Sequence, residues 1–192
     1  MRFAPIVLLG ESRTTDSLRL GHRASCSPIW GRAFVACALL TASPLAAEFL
    51  AVRLEVSDMD CASCAQSLES GLKRIRGVEK VTLSQQNGAE MILQPGNKLT
   101  LERLRDAIKG VGFTPKTAHV KVKGTPVTDA GQWRFTVELT GQQFNLTASG
   151  ADTLKTLQQN SGKIIVVDAI APVPPDPRTT PSLDVRAISS GK

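Results

Sequence analysis

The 192-residue sequence has no tyrosine, and its aromatic residues make up only 4% of the chain. Proteins that bind single-stranded nucleic acids usually combine stacked aromatic side chains with clustered Lys and Arg. Lys and Arg exceed Asp and Glu by 23 to 17, but five of the arginines lie ahead of residue 48. The excess that remains is mild and forms no cluster in the sequence. The composition therefore argues against nucleic acid as a partner.

The residue combinations that perform hydrolysis or phosphoryl transfer are also absent. The sequence contains no recognisable Ser, His and Asp set, no supported pair of carboxylates and no phosphate-binding glycine loop. Of its two histidines, His22 lies in the N-terminal segment and His119 lies far along the chain from the nearest cysteine, so neither is expected to bind metal. The sequence predicts that the protein is not an enzyme.

No apolar run is long enough to make a comfortable transmembrane helix. The run at residues 33–40 follows Arg32 and leads to small residues that end at Ala47, which is the pattern of a secretory signal peptide. We therefore expect residues 1–47 to be a signal peptide or leader, and the protein to be exported, to the periplasm or another extracytoplasmic space. Because the polar segment before the apolar run is long, three alternatives stay open: a start site placed too far upstream, an uncleaved leader that anchors the chain to a membrane, and a disordered arm on a cytoplasmic protein.

Few cysteines remain once this leader is set apart. Cys26 and Cys37 lie within it, which leaves Cys61 and Cys64. A disulfide between them would close too small a loop to restrain the unfolded chain, so the pair points to chemistry or to metal binding. The N–H groups at the start of a helix favour the thiolate form of cysteine, and two thiolates suit a single soft metal ion.

Apolar periodicity predicts the element order β-α-β-β-α-β between residues 48 and 120. The predicted helices follow Cys64 and Thr100, and an Asn87-Gly88 turn joins the two middle strands. In the first strand, residues 49–57, the alternation places four residues on the buried face: Leu50, Val52, Leu54 and Val56. This order predicts an α+β fold with the split βαβ, ferredoxin-like arrangement.

These residues resemble the heavy-metal-associated domain of metallochaperones and of the soluble N-terminal modules of P-type metal pumps. The resemblance covers residues 48–120 and rests on three features: Met59-x-Cys61-x-x-Cys64, Gly77-Val78 and Gly112-Phe113. It implies that Cys61 and Cys64 hold one heavy-metal ion and exchange it with a metal-donor or metal-acceptor protein. It also implies that Met59 supports the loop as a buried plug or serves as a ligand, and that Phe113 lies near the metal loop or packs in the core.

The identity of the metal depends on Asp60. The pattern Met-Asp-Cys-x-x-Cys is similar to the variant found in pumps for zinc, cadmium and lead, whereas copper modules more often carry Thr before the first cysteine. A carboxylate beside two thiolates offers a possible third ligand and favours a borderline divalent ion. Asp60 can instead bond loop amides or cap the helix. Cu(I) and a Zn(II)-like divalent ion, with Cd, Pb and Hg as further possibilities, therefore both stay open.

Past residue 118 the sequence changes to short β-strands, and the first of them, at residues 120–122, is expected to end at Gly124. Five strands, with a helix over residues 151–159 ahead of the fourth, resemble a small OB-like barrel, and residues 172–181 form a proline-rich loop. Trp133 and Phe135 alternate, and we expect them to point into the core. We predict that residues 121–192 form a second domain whose partner is unknown. The alternatives to metal carriage are a binding or assembly role for this domain and a thiol–disulfide redox role for the cysteine pair; the oligomeric state stays open.

Overall fold

The computed structural model describes residues 48–57, 61–84, 88–148, 150–176 and 178–191. The predicted leader, residues 1–47, lies outside these ranges. None of the helices within them is long and apolar enough to cross a membrane. The elements follow in this order: β1 (Phe49–Ser57), α1 (Ala62–Lys73), β2 (Val78–Ser84), β3 (Gly88–Leu93), α2 (Leu101–Gly110), β4 (Thr114–Asp129), β5 (Gln132–Val137), β6 (Gln142–Ala148), α3 (Ala151–Gln159), β7 (Ile165–Ala171) and β8 (Ser182–Ser190).

The first six elements form the predicted βαββαβ unit. Its strands lie in the order β2-β3-β1-β4, and each neighbouring pair is antiparallel. The apolar stripes of both helices and the inward side chains of β1 belong to one hydrophobic core, and its members from α1 and α2 are Leu68, Leu72, Leu101, Leu104 and Ile108. The α+β class and the ferredoxin-like arrangement are therefore confirmed.

The start of β1 departs from the predicted alternation. Leu50 is only partly buried, whereas Phe49 is fully buried. A β-bulge between Phe49 and Ala51, where β1 pairs with β4, moves the buried face by one residue. Phe49 consequently packs edge-on against Phe144 of β6, with 6.1 Å between the ring centroids.

The second half of the chain forms a closed ring of five strands. β4 continues out of the βαββαβ unit and pairs with both β5 and β7, and β6 and β8 complete the ring. The β6–β8 pair is parallel, while the other four pairs are antiparallel. The number of strands and the position of α3 before the fourth one agree with the sequence prediction. The OB-like barrel itself stays a prediction.

β4 is longer than the sequence pattern suggests. Gly124 marks the end of the predicted strand, yet β4 runs on to Asp129. A Cβ atom at residue 124 would lie 2.5 Å from the Thr136 carbonyl oxygen and 2.6 Å from the Phe135 ring, so this glycine permits a close approach of β5 and does not end a strand. The predicted boundary between residues 120 and 121 lies inside β4, and the described residues from 48 onward belong to one compact unit.

Two polar side chains link the βαββαβ unit to the ring. Arg105 of α2 is only 4% exposed, and its Nη2 donates to the carbonyl oxygens of Ala171 (2.9 Å) and Pro172 (3.0 Å). Burial lowers the pKa of Arg105, although the nearby Glu102 carboxylate acts in the opposite direction. Gln142 of β6 accepts a hydrogen bond from the Leu101 N–H at the start of α2 (3.3 Å). These three hydrogen bonds fix α2 against the ring.

Candidate metal centre

Cys61 begins α1 as its N-cap residue. Its backbone is extended (φ −124°, ψ 145°), and its Sγ accepts a hydrogen bond from the Cys64 N–H at 3.0 Å. Serine, threonine, aspartate and asparagine usually fill this position, because their side-chain oxygens accept from the same free amides. The first turn of α1 contains no acidic residue. A thiolate at Cys61 would therefore be stabilised by the helix start and would meet no carboxylate on that turn.

The two cysteines are close together but unequally exposed. Their Cα atoms lie 5.1 Å apart, and their sulfurs are joined in a disulfide in this structure. Cys61 is exposed, whereas Cys64 is half-buried and packs against the hydrophobic core. Reduction of this bond would leave two thiols that point to one place at the surface. The structure thus brings the two predicted ligands together.

Ser63 is a neighbour of the pair that the sequence reasoning missed. Its Oγ lies 3.1 Å from Cys61 Sγ, within hydrogen-bond distance. A hydroxyl in this position can donate to a thiolate, which would add a second donor to the Cys64 N–H. The only signal in the sequence is the place of a serine between two cysteines at a helix start.

Of the other predicted site residues, the structure describes Phe113 but not Met59 or Asp60. Met59 and Asp60 lie outside the described residues, so their roles stay predictions. Phe113 is 9% exposed and belongs to the core cluster against which Cys64 packs. Phe113 precedes Thr114, which pairs with Ser57, the last residue of β1. Because the chain continues from Ser57 towards Cys61, Phe113 lies at the same end of the sheet as the cysteine pair.

Within the described ranges, no group of three or more His, Cys, Asp or Glu side chains is close enough to hold a metal ion. His119 lies on β4, where its Nε2 is 3.9 Å from Glu55 Oε1. The described donor set is therefore the two sulfurs alone. Two sulfurs suit a soft metal ion, and Asp60, the predicted third ligand, lies outside the described residues.

Residues 53–114 match the model of the heavy-metal-associated domain. A copper-transporting ATPase of Oryza sativa subsp. japonica is 36% identical over 70 residues, which are 36% of this chain and 7% of the ATPase. Copper-transporting ATPase 2 of Homo sapiens is 32% identical over 74 residues, which are 38% of this chain and 5% of that protein. The crystal structure of a copper-binding domain from a P-type ATPase aligns with 37% of this chain and 92% of its own length, at 29% identity and a TM-score of 0.33. The match to the family model shows that residues 53–114 of this chain are a heavy-metal-associated domain.

Proposed function

We propose that this protein is a non-enzymatic carrier of Cu(I), which it holds as cargo on Cys61 and Cys64. The main support is the placement of two cysteine sulfurs together at the exposed start of α1, with no third His, Cys, Asp or Glu beside them among the described residues. Two sulfurs suffice for a low-coordinate Cu(I) site, whereas Zn(II) would need further ligands from outside the described residues, such as Asp60. The copper-transporting relatives of residues 53–114 support the same ion.

Transfer of the ion would proceed by exchange of thiolates with a metal-donor or metal-acceptor protein. A partner thiolate bonds to Cu(I) as the Cys61 thiolate leaves, and a second partner thiolate then displaces Cys64. Cys61 is the accessible member of the pair, so it is the natural first contact. The Cys64 N–H and the Ser63 hydroxyl stabilise the charge on Cys61 when it is released.

Export of the chain is part of this proposal and has a chemical consequence. Thiol pairs oxidise readily in extracytoplasmic compartments, and a Cys61–Cys64 disulfide offers no thiolate to a metal. An exported carrier therefore requires a reductant or an ion that is already bound. We further propose that the five-strand ring is an OB-like structural or interaction part with its own partner.

The test is a competition titration of the reduced full-length chain carrying Cys26→Ser and Cys37→Ser, so that only Cys61 and Cys64 contribute thiols. Cu(I) and Zn(II) are each titrated against a chromophoric chelator. We expect one Cu(I) per chain, held more tightly than Zn(II), and loss of tight binding in Cys61→Ser/Cys64→Ser. Ser67→Ala is the matched control, since Ser67 lies one turn further along α1 and, among the described residues, its hydroxyl donates to the Ser63 carbonyl oxygen (3.0 Å) and to neither sulfur.

Asp60→Thr separates the two metal hypotheses in the same assay. If the cargo is Cu(I), this substitution leaves Cu(I) affinity within a few-fold of the parent, because the ion is held by sulfur. Tighter binding of Zn(II) than of Cu(I), lost in Asp60→Thr, would replace copper with a divalent ion. Failure of both ions to bind would reject carriage of Cu(I) and of Zn(II).

A thiol–disulfide redox role is the second candidate, and the disulfide between Cys61 and Cys64 favours it. In such a reaction an added thiol first reduces the Cys61–Cys64 disulfide, and the resulting dithiol then gives two electrons to a substrate disulfide, which becomes two thiols while Cys61 and Cys64 form their disulfide again. The test is turnover in a thiol-dependent insulin-reduction assay, compared with Cys61→Ser. Turnover that requires Cys61, together with no metal binding, would establish this role in place of the first.

A further inference from the structure

We propose that a second site, a basic groove at the other end of the βαββαβ unit from Cys61, binds a phosphate group. The groove has a volume of about 330 Å³, and its lining includes Arg76, Gly77, Gly96, Asn97, Lys98 and Arg103. Cys61 precedes α1, whereas Arg76 and Gly77 follow it. A 12-residue helix is roughly 18 Å long, so the groove is separate from the cysteine pair.

The charged residues that line the groove are all cationic. Arg76, Lys98 and Arg103 are exposed, and within the described ranges none of them takes part in an ion pair. By contrast, Lys73 of α1 is paired with Glu69, and Lys109 of α2 is paired with Asp106. Three like charges around one concavity repel each other, and an anion bound between them would relieve that repulsion.

The wall of the groove consists of two turns that are fixed to each other. The Gln94 N–H donates to the Gly77 carbonyl oxygen at 2.8 Å, which joins the turn after α1 to the turn before α2. Gly77 has a φ of +99°, and a Cβ atom there would lie 3.1 Å from Asn97 Cβ. The close contact of these turns therefore requires glycine at residue 77.

Asn97 holds the second turn from inside the protein. It is only 6% exposed, and its Nδ2 donates to the carbonyl oxygens of Phe49 (2.9 Å) and Gln94 (2.8 Å). Its Oδ1 accepts from the Leu99 N–H at 3.2 Å. Because these bonds order the turn without a ligand, binding needs little further ordering of the backbone.

Two acidic side chains beside the groove make hydrogen bonds to other groups. Glu48 is 8% exposed, and its Oε2 accepts a hydrogen bond from the Gly96 N–H. Glu102, next to Arg103 in the chain, accepts from Gln142 Nε2. Neither is ion-paired with a groove cation in the described part of the chain, so the three positive charges remain available to a ligand.

A phosphate group is the anion that best fits these donors. Two guanidinium groups and one ammonium group match several phosphate oxygens and a charge of up to two. The groove is at the lower limit of small-ligand sites, so it suits a single phosphate group with a small substituent. Two sources share this chemistry: a free phosphate or phosphate ester, and the headgroup of a phospholipid. Glu48, the first residue after the predicted leader, bonds to Gly96 in the groove wall. A leader that stays uncleaved and anchors the chain would therefore hold the groove near a membrane, and for this reason the test includes lipid vesicles.

The first arm uses the full-length protein and inorganic phosphate at constant ionic strength, followed by amide NMR shifts and calorimetry. We expect saturable binding, with amide shifts at Gly96 and Lys98. Arg76→Ala/Arg103→Ala should weaken binding by roughly tenfold or more, because two charge-assisted contacts are lost. The charge-matched control Lys116→Ala/Lys155→Ala removes two exposed cations elsewhere and should bind as the parent does.

The second arm measures co-sedimentation with phosphatidylglycerol vesicles and with phosphatidylcholine vesicles. Binding to the anionic vesicles that is lost in the groove variant but kept in the control identifies a lipid headgroup as the source. Phosphate binding without vesicle binding identifies a free phosphate. Equal behaviour of the groove variant, control and parent in both arms would overturn the proposal. An unchanged unfolding midpoint and an unchanged Cu(I) titration show that the variant is folded, so this site and the metal site succeed or fail independently.

Discussion

Cys61 and Cys64 are three residues apart but meet different surroundings. Cys61 is exposed and forms the N-cap of α1, while Cys64 lies one turn inward and packs against the core. The difference follows from their positions, because Cys61 is the extended N-cap residue outside the helix proper, whereas Cys64 lies within the first turn and is held against the core. The two thiols should therefore differ in reactivity even though both belong to one site.

The first prediction concerns this asymmetry. In reduced protein with Cys26→Ser and Cys37→Ser, we expect iodoacetamide to modify Cys61 several-fold faster than Cys64, because exposure and nearby donors both favour attack by the Cys61 thiolate. The measurement is quenched alkylation followed by peptide mass spectrometry. Ser63→Ala should slow the reaction at Cys61 and leave Cys64 unchanged. Equal rates at both cysteines would show that burial of Cys64 does not limit access.

The sequence predicts the residues that share a short motif and misses those that meet only in the fold. Cys61 and Cys64 follow from their spacing alone. The contact of Ser63 with Cys61 depends on how the serine is turned at the helix start, which no spacing rule specifies. The burial of Arg105 cannot be predicted either, since residues 171 and 172 cover it from a strand far along the chain.

At the scale of elements, the contact between α1 and α2 depends on one small residue. Gly71 lies within α1, and a Cβ atom there would lie 2.9 Å from Val111 Cγ1, just beyond the end of α2. An alanine in a helix is normally more favourable than glycine by about 0.5–1 kcal/mol. Overpacking of a tight contact costs about 1–3 kcal/mol, and valine has little rotamer freedom with which to move away.

We therefore expect Gly71→Ala to lower the free energy of unfolding by about 1 kcal/mol. Gly110→Ala is the matched control, because it is also a helical glycine but has no heavy atom within 4 Å of its added Cβ, and it should be neutral or stabilising. The measurement is urea unfolding followed by circular dichroism. A double-mutant cycle with Val111→Ala should show a favourable coupling energy. Stabilisation by Gly71→Ala would mean that the helices move apart at no cost.

The strands show where periodicity succeeds and fails as a predictor. Alternation finds β1, but a bulge opposite β4 reverses which of Phe49 and Leu50 is buried. The same rules treat Gly124 as the end of a strand, because glycine has poor strand propensity. In the structure β4 continues through Gly124, since the close approach of Phe135 leaves no room for a side chain. Both errors arise from contacts between strands, which the local sequence does not contain.

At the scale of the whole molecule, the two halves share a strand and a core. β4 belongs to the βαββαβ unit at its start and to the ring at its end. Phe49 packs on Phe144, and Arg105 bonds to the end of β7, so contacts cross between the halves at two places besides β4. A break in one half would leave apolar surface of the other exposed. The molecule should accordingly unfold as one cooperative unit.

Leu104→Ala tests this cooperativity. Leu104 is fully buried in α2, so the substitution should lower the free energy of unfolding by about 2–5 kcal/mol. Trp133, a half-buried residue of β5, reports on the ring by its fluorescence. With Trp30→Phe as background, we expect urea transitions followed by Trp133 fluorescence and by circular dichroism to coincide, and Leu104→Ala to shift both equally. Leu154→Ala, at an exposed position of α3, should change the free energy of unfolding by less than about 1 kcal/mol. If Leu104→Ala leaves the midpoint of the Trp133 transition unchanged, the ring folds independently of the heavy-metal-associated domain.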